Sequence, residues 1–582
     1  MFQIKWVWKN LKGKKFQYVF GLFLCALAAV FTLTVPLVSQ QIVDLILVPP
    51  QGQESRVDLL IPLVVAMVLA TLFKTAIGYL QVILNEYAVI DVIHNIRTQI
   101  FKNLQSQDSS FFNRNRAGDI MARLTGDMDV VKHTASQTVR VIVESSTIFL
   151  SILVYFLSVD TLFTLALCLV LPVIFMVLKA YSKKAGYYHG NAREKLSQLS
   201  VAAQENIAGN RVVKAFAKED YEIEKFDEKN KAYSDANIDV NANWLKYYPL
   251  IELTAQAMTL IVLLIGGAFV IWGRISLGQL MAFSGLCLTF ANPVRNLGTV
   301  MNEIQRFFPS ADKVIEFYYT KPIIVNTFAA KKAERFEGAI TFKDVTLKFS
   351  KKSVLKKINL EIAPGETVAF MGNTGSGKTL LMNLIPRLYD PTKGEVLIDG
   401  ENVKNYELAS LRRNIGFATQ DVFLFSDTVD SNIAYGKPDL DEETIRYYCK
   451  ISGVDFVDRM TDGFDTLIGE RGVGLSGGQK QRLALARALA IEPSILILDD
   501  TTSALDMETE RFIQKNLREL NFKCTKLIVA QRISTAKFAD KIVVLKDGEI
   551  EEIGTHEELM NSDGYYSEIC KLQDFSGGEN NG

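Results

Sequence analysis

Apolar residues gather into six long runs in the first half of the chain, at about 17–47, 58–84, 136–158, 161–181, 246–273 and 279–307. Each is long enough to cross a hydrocarbon layer of roughly 30 Å at about 1.5 Å of helix rise per residue. The intervening stretches alternate in length. Those at 48–57, 159–160 and near 274 are short, whereas 85–135 and 182–245 are long, polar and rich in helix formers. This profile predicts six transmembrane helices that continue well beyond the bilayer on one side. The segment 1–13 interleaves Phe2, Trp6 and Trp8 with lysines and reads as an interfacial amphipathic helix. The first run is too long, and too little like an A-x-A cleavage site, for a removed signal peptide.

Past residue 310 the pattern changes. Residues 311–339 read as a polar linker carrying Lys331, Lys332 and Arg335. From 340 to 575, short β-rich runs alternate with helical stretches, for example Thr367–Met371, Ser494–Leu498, Lys526–Val529 and Lys541–Leu545. That alternation predicts an α/β domain on a largely parallel sheet, followed by a polar tail at 576–582. The expected organisation is a polytopic α-helical transmembrane domain over 1–310 and an α/β domain after the linker.

Charge placement orients the first half. Lys5, Lys9, Lys12, Lys14 and Lys15 precede the first run, and the long stretches carry Arg97, Lys102, Arg123, Lys132, Lys183, Lys184, Arg211 and Lys214. The short connections hold only Arg56 and Arg274. The N-terminus and the α/β domain are therefore expected on the cytoplasmic side of the cell membrane. Composition agrees with a divided chain. Hydrophobic residues reach 48% and charged residues 22%, and the mean hydropathy is +0.13. Lys plus Arg number 64 against 65 Asp plus Glu, so the basic excess of a nucleic-acid binder is missing. The six cysteines form no CxxC pair and read as small buried hydrophobes in a reducing compartment, and four histidines leave little room for a His-based metal site.

The chemistry concentrates in the second half. Gly372-Asn373-Thr374-Gly375-Ser376-Gly377-Lys378-Thr379 fits G-x-x-x-x-G-K-[ST], between the apolar strand Thr367–Met371 and the helical Leu380–Ile385. Glycines let backbone amides turn in around phosphate oxygens, and the helix N-terminus adds partial positive charge. Lys378 would reach the β- and γ-phosphates of ATP, and Thr379 would offer its hydroxyl to Mg²⁺. The buried strand Ile495–Leu498 delivers Asp499 as a second Mg²⁺ ligand, the Walker B arrangement. Between the two lies Leu475-Ser476-Gly477-Gly478-Gln479, where Ser476 could also serve as a plain helix cap.

These motifs, behind six spans, resemble the ATP-binding cassette (ABC) exporters, and the resemblance covers nearly the whole chain. It implies a half-transporter that works as a transport-coupled ATPase on a second half. By the same resemblance Phe349 stacks on adenine, Gln420 lies near Mg²⁺, and Ser476, Gly477, Gly478 and Gln479 complete the partner's nucleotide site. Gly469–Gly472 resembles the loop that senses the membrane domain, and Ser503–Asp506 the D-loop across the dimer interface. Phe111–Asp119 and Gly209–Phe216 resemble the two coupling segments.

Phe349 stands where the family usually has Tyr and loses only the hydroxyl; two further departures carry most of the information. Asp500 stands where a Glu usually orients the attacking water, which withdraws the carboxylate by roughly 1 Å, and about 1 Å can cost on the order of 10²-fold in rate. Gln531 replaces the usual switch His and brings no positive charge. Both in one site argue for slow hydrolysis at this chain's own Walker motifs. A heterodimer resolves the difficulty, with hydrolysis mainly at the site that the partner's intact Glu and His complete. This resembles bacterial heterodimeric multidrug exporters, and implies efflux of hydrophobic or amphipathic small molecules with the lipid bilayer as surroundings and no nucleic-acid partner. The alternatives are a homodimeric lipid or peptide exporter and an ATP-gated channel or regulatory subunit. Six spans argue against a soluble DNA-repair ATPase. Lys74, Glu144, Glu252 and Arg295, within or near apolar runs, are expected to face a water-filled cavity or one another.

Overall fold

The computed structural model describes residues 1–49, 54–349, 352–562 and 564–578. They form two compact units, one of residues 1–105 and 117–320, the other of 106–116 and 321–582.

The first unit holds six helical segments long and apolar enough to cross a membrane: Lys15–Leu47, Val57–Gln105, Ala117–Val159, Thr161–Ala208, Glu219–Ile271 and Leu277–Tyr319. The last runs nine residues into the segment 311–339 read as linker, from 311 to 319. The unbroken helix Leu60–Gln105 counts 46 residues, about 70 Å at 1.5 Å per residue, more than twice the hydrocarbon thickness. The polar stretches beyond the spans are thus mostly helical. The connections at 159–160 and near 274 are fixed by capping. Asp160 accepts from Phe163 N at 2.8 Å and pairs with Arg274 at 3.1 Å. Ser276 and Gln279 form a reciprocal capping box, and Asp44 accepts from Ser276 Oγ at 2.7 Å and Gly278 N at 2.9 Å. The core combines aliphatic side chains with an aromatic cluster: Phe283 stacks on Phe156 at 4.2 Å and meets Phe163 at 4.7 Å, and all three are fully buried. The N-terminal helix Phe2–Asn10 buries Trp6 against Tyr318 and leaves Phe2, Ile4 and Trp8 exposed.

The second unit carries ten strands: β1 Ile340–Phe349, β2 Lys352–Ile362, β3 Thr367–Met371, β4 Lys393–Ile398, β5 Glu401–Asn402, β6 Ile415–Ala418, β7 Ile495–Asp499, β8 Thr525–Val529, β9 Lys541–Lys546 and β10 Glu549–Gly554. Six form a sheet in the order β10-β9-β3-β8-β7-β6, parallel except for the β9–β10 hairpin. The other four form an antiparallel sheet, β2-β1-β4-β5. The parallel sheet reads from its apolar runs of four to six residues. The antiparallel sheet escaped that reading because β1 and β2 mix lysines with apolar residues and bury one face. Of the expected tail at 576–582, residues 579–582 lie outside the described residues.

Candidate functional site

The phosphate loop leaves the carboxyl end of β3, a central strand flanked by β8 and β9. Gly372 has φ 134°, and a Cβ there would stand 2.0 Å from the Leu545 carbonyl oxygen, so only glycine fits beside β9. Gly377 then opens the helix Lys378–Leu384 in a left-handed conformation. The loop folds around its own lysine. Lys378 Nζ donates to the carbonyls of Gly372 at 2.7 Å and Asn373 at 2.9 Å, with Ser376 Oγ at 3.4 Å. Burial lowers the Lys378 ammonium below its ordinary range, while the charges of Asp499 and Asp500 oppose that shift. An anion entering the loop would therefore meet a partly desolvated cation.

Thr379 and Asp499 converge as expected. Thr379 Oγ1 donates to Asp499 Oδ1 at 3.1 Å. Burial, with Asp500 adding to it, raises the Asp499 carboxyl. A hydroxyl and a carboxylate side by side are hard oxygen donors and fit Mg²⁺ held together with phosphate oxygens. Gln420 is exposed two residues past β6, on the side of β7 where Asp499 ends its strand.

Asp500 follows in a left-handed conformation, φ 51°. Its Oδ2 accepts from Gln531 Nε2 at 2.7 Å, so the two departing positions touch. Burial raises the Asp500 carboxyl, against the pull of Lys378 and Arg532. Phe349, at the end of β1, is 38% exposed and meets the Tyr389 ring edge-on.

Ser476 caps the helix Gly477–Leu489 reciprocally with Gln479: Gln479 N donates to Ser476 Oγ at 3.3 Å, and Ser476 N to Gln479 Oε1 at 2.8 Å. Ser476 is thus the helix cap that the sequence allowed, at the start of the helix that carries Gly477, Gly478 and Gln479. Gly477 and Gly478 bring this helix against the segment 503–506, with a Cβ on Gly478 falling 2.9 Å from the Ala504 carbonyl oxygen.

Two residues beyond the motifs tie these parts together. Gln481 Nε2 reaches the Asp500 carbonyl at 3.4 Å and Ser503 Oγ at 3.3 Å, while its Oε1 accepts from Ala504 N at 3.2 Å. Arg532 donates to the carbonyls of Leu505 and Ser503 and to the Glu510 carboxylate, each at 3.2 Å. Gln481 carries no local signal beyond standing two residues past Gln479. Arg532 stands next to Gln531 and has no fixed spacing of its own to mark it.

In the membrane unit a cavity of about 410 Å³ lies between the third and sixth spans, walled by Ile142, Phe149, Leu150, Pro293 and Val300 with Ser145, Ser146 and Asn296. Glu144 pairs with Arg140 at 3.8 Å in its own helix, and Glu252 accepts from Gln256 at 3.1 Å. Lys74 is half-buried, and the side chain of Arg295 lies outside the described residues.

A polytopic helical unit joined to a P-loop cassette with a signature helix defines the class, and sequence comparison agrees. Residues 18–294 match the ABC transporter transmembrane region and 355–503 the ABC transporter domain. The chain belongs to the ABC transporter family, as an exporter half-transporter. The ABC transporter ATP-binding protein YknU of Bacillus subtilis is 34% identical over 96% of this chain and 95% of its own. YgaD of the same organism, provisionally named a multidrug export ATP-binding/permease protein, is 34% identical over 94% of each. An ATP-dependent lipid A-core flippase from Hahella chejuensis is 36% identical over 83% of each. The structure of a bacterial Atm1-family ABC exporter with ATP bound superposes with a TM-score of 0.80 at 25% identity, covering 96% of this chain and 99% of that one.

Proposed function

We propose that this chain is the subunit of a heterodimeric exporter that carries a slow nucleotide site, and that the pair expels hydrophobic or amphipathic compounds from the cytoplasm across the cell membrane. The observation that carries the reading is the Gln531–Asp500 hydrogen bond of 2.7 Å. The side chain at the water-orienting position is short, buried and engaged by a neutral amide rather than by a cationic switch. Lys378 and the loop amides would hold the ATP phosphates, Thr379, Asp499 and Gln420 would hold Mg²⁺, and Phe349 would stack on the base. Mg²⁺ supplies charge neutralisation on the phosphates when bound. Asp500, with Gln531 against it, would orient water poorly. Ser476 to Gln479 would complete the partner's competent site.

Counting trapped nucleotide in the purified pair tests this reading. Slow release from one site per dimer and fast release from the other is expected, and equal release from both would overturn it. A second reading, a homodimeric lipid exporter, draws support from the 36% identity to a protein named a lipid A-core flippase. Vectorial uptake into inverted vesicles, of a hydrophobic dye against a labelled phospholipid, separates the cargo classes and would also expose a channel, which accumulates neither.

A further inference from the structure

Tyr389 is the side chain through which Phe349 and the segment 106–116 meet. Its ring is 9% exposed and faces the Phe349 ring edge-on, with centroids 5.5 Å apart and planes at 84°. Its hydroxyl accepts from Asn113 Nδ2 at 2.7 Å. Asn113 lies on the helix Ser109–Arg114, in the stretch of chain between the second and third spans.

Both ends of this connection are held. Asp108 caps the helix through Ser110 N at 3.0 Å and also accepts from Ile323 N at 3.0 Å. On the other side Arg387 pairs with Asp390 at 2.9 Å, and Arg412 donates to the carbonyls of Pro386 and Arg387, each at 3.0 Å. The Tyr389 backbone is thus clamped on either side of the ring. With the backbone fixed, the ring's remaining freedom is rotation of its side chain, which the Phe349 edge and the Asn113 amide both restrict.

We propose that Tyr389 is a positioning residue that reports the bound base to the segment 106–116. A base stacked on Phe349 fixes that ring, the Phe349 edge fixes the Tyr389 ring, and the phenol then holds Asn113 in one orientation. Occupancy of the phosphate loop alone does not engage this path, so a poorly stacking base leaves the segment looser than a purine does. The inference goes beyond the exporter reading and depends only on nucleotide binding at Gly372–Thr379, not on cargo or heterodimer.

Hydrogen exchange of the peptide covering 106–116 tests it, on the full-length chain in lipid nanodiscs with saturating MgATP or MgUTP. The wild type is expected to exchange about two- to tenfold more slowly with ATP than with UTP, the range that one neutral hydrogen bond supports. Tyr389→Phe keeps the ring edge and loses the phenol, and Asn113→Ala removes the donor. Each should abolish the difference between the nucleotides while leaving ATP affinity within about twofold, and the double variant should add nothing further. Equal exchange with ATP and UTP in the wild type would overturn the proposal. So would variants that keep the difference, or variants that merely exchange faster without nucleotide. Binding of a fluorescent ATP analogue to the wild type separates failure here from failure of the nucleotide site itself.

Discussion

Gln531 donates to the carboxylate of Asp500 at 2.7 Å, where β7 and β8 end side by side with Asp499 opposite Val529. The two departures from the exporter pattern that bear on hydrolysis therefore form one contact, so changing either alters the surroundings of the other. Restoring only the longer carboxylate would leave it against a neutral amide. Restoring only the switch histidine would place it against a carboxylate that is too short.

The double variant Asp500→Glu with Gln531→His should raise turnover of the chain on its own by on the order of 10²-fold, the cost assigned to a catalytic group misplaced by about 1 Å. Each single variant should recover less than its share, because contacting residues are not additive. Steady-state ATPase in nanodiscs, corrected with Lys378→Ala, provides the check.

Protonation gives a second expectation. Burial raises the Asp500 carboxyl in the folded chain. The folded state then holds that proton more tightly than the unfolded state does. The group's stabilising contribution is full below the ordinary Asp value of about 3.9 and is lost as pH rises through the raised folded value. Asp500→Asn should therefore raise the melting temperature at pH 7.5, and the gain should shrink as pH falls toward the ordinary Asp value. A melting temperature lowered at pH 7.5 would contradict this.

Ser476 caps its helix and, on the proposed reading, also completes the partner's site, and substitution can separate the two. Replacement of a capping serine by glycine costs only a few tenths of a kcal/mol. Ser476→Gly should thus leave the melting temperature nearly unchanged, yet reduce turnover of the assembled pair by more than about tenfold, as loss of a preorganised donor does. A loss of stability with turnover intact would leave the residue as a cap only.

Gln481 bonds the Asp500 carbonyl, Ser503 and Ala504 from one side chain. Gln481→Met keeps the volume and removes these bonds. Leaving partly buried groups unpaired costs about 1–3 kcal/mol, and thermal unfolding should show it.

The legible parts of this chain were those with a strong period or a fixed spacing. The six spans follow from apolar runs longer than a soluble helix sustains, and β3, β7, β8 and β9 follow from short buried runs. The loop Gly372–Thr379 and the capping pair Ser476–Gln479 each need particular residues at fixed offsets. What escaped depends on contacts distant in sequence. Asn113 and Tyr389 are 276 residues apart, and neither stands in a pattern that points to the other. Gln481 and Arg532 act mostly on backbone groups, which leave no trace in side-chain composition. The antiparallel sheet was hidden by lysines on its open face.

The most direct test compares ATPase turnover of this chain alone in lipid nanodiscs with turnover of the chain co-assembled with a candidate partner half-transporter. The account predicts negligible turnover alone, restored by the partner and abolished when the partner's catalytic Glu is replaced. Robust turnover of the chain alone, lost on Lys378→Ala, would contradict it and would establish a working homodimer in which Asp500 and Gln531 are no impediment.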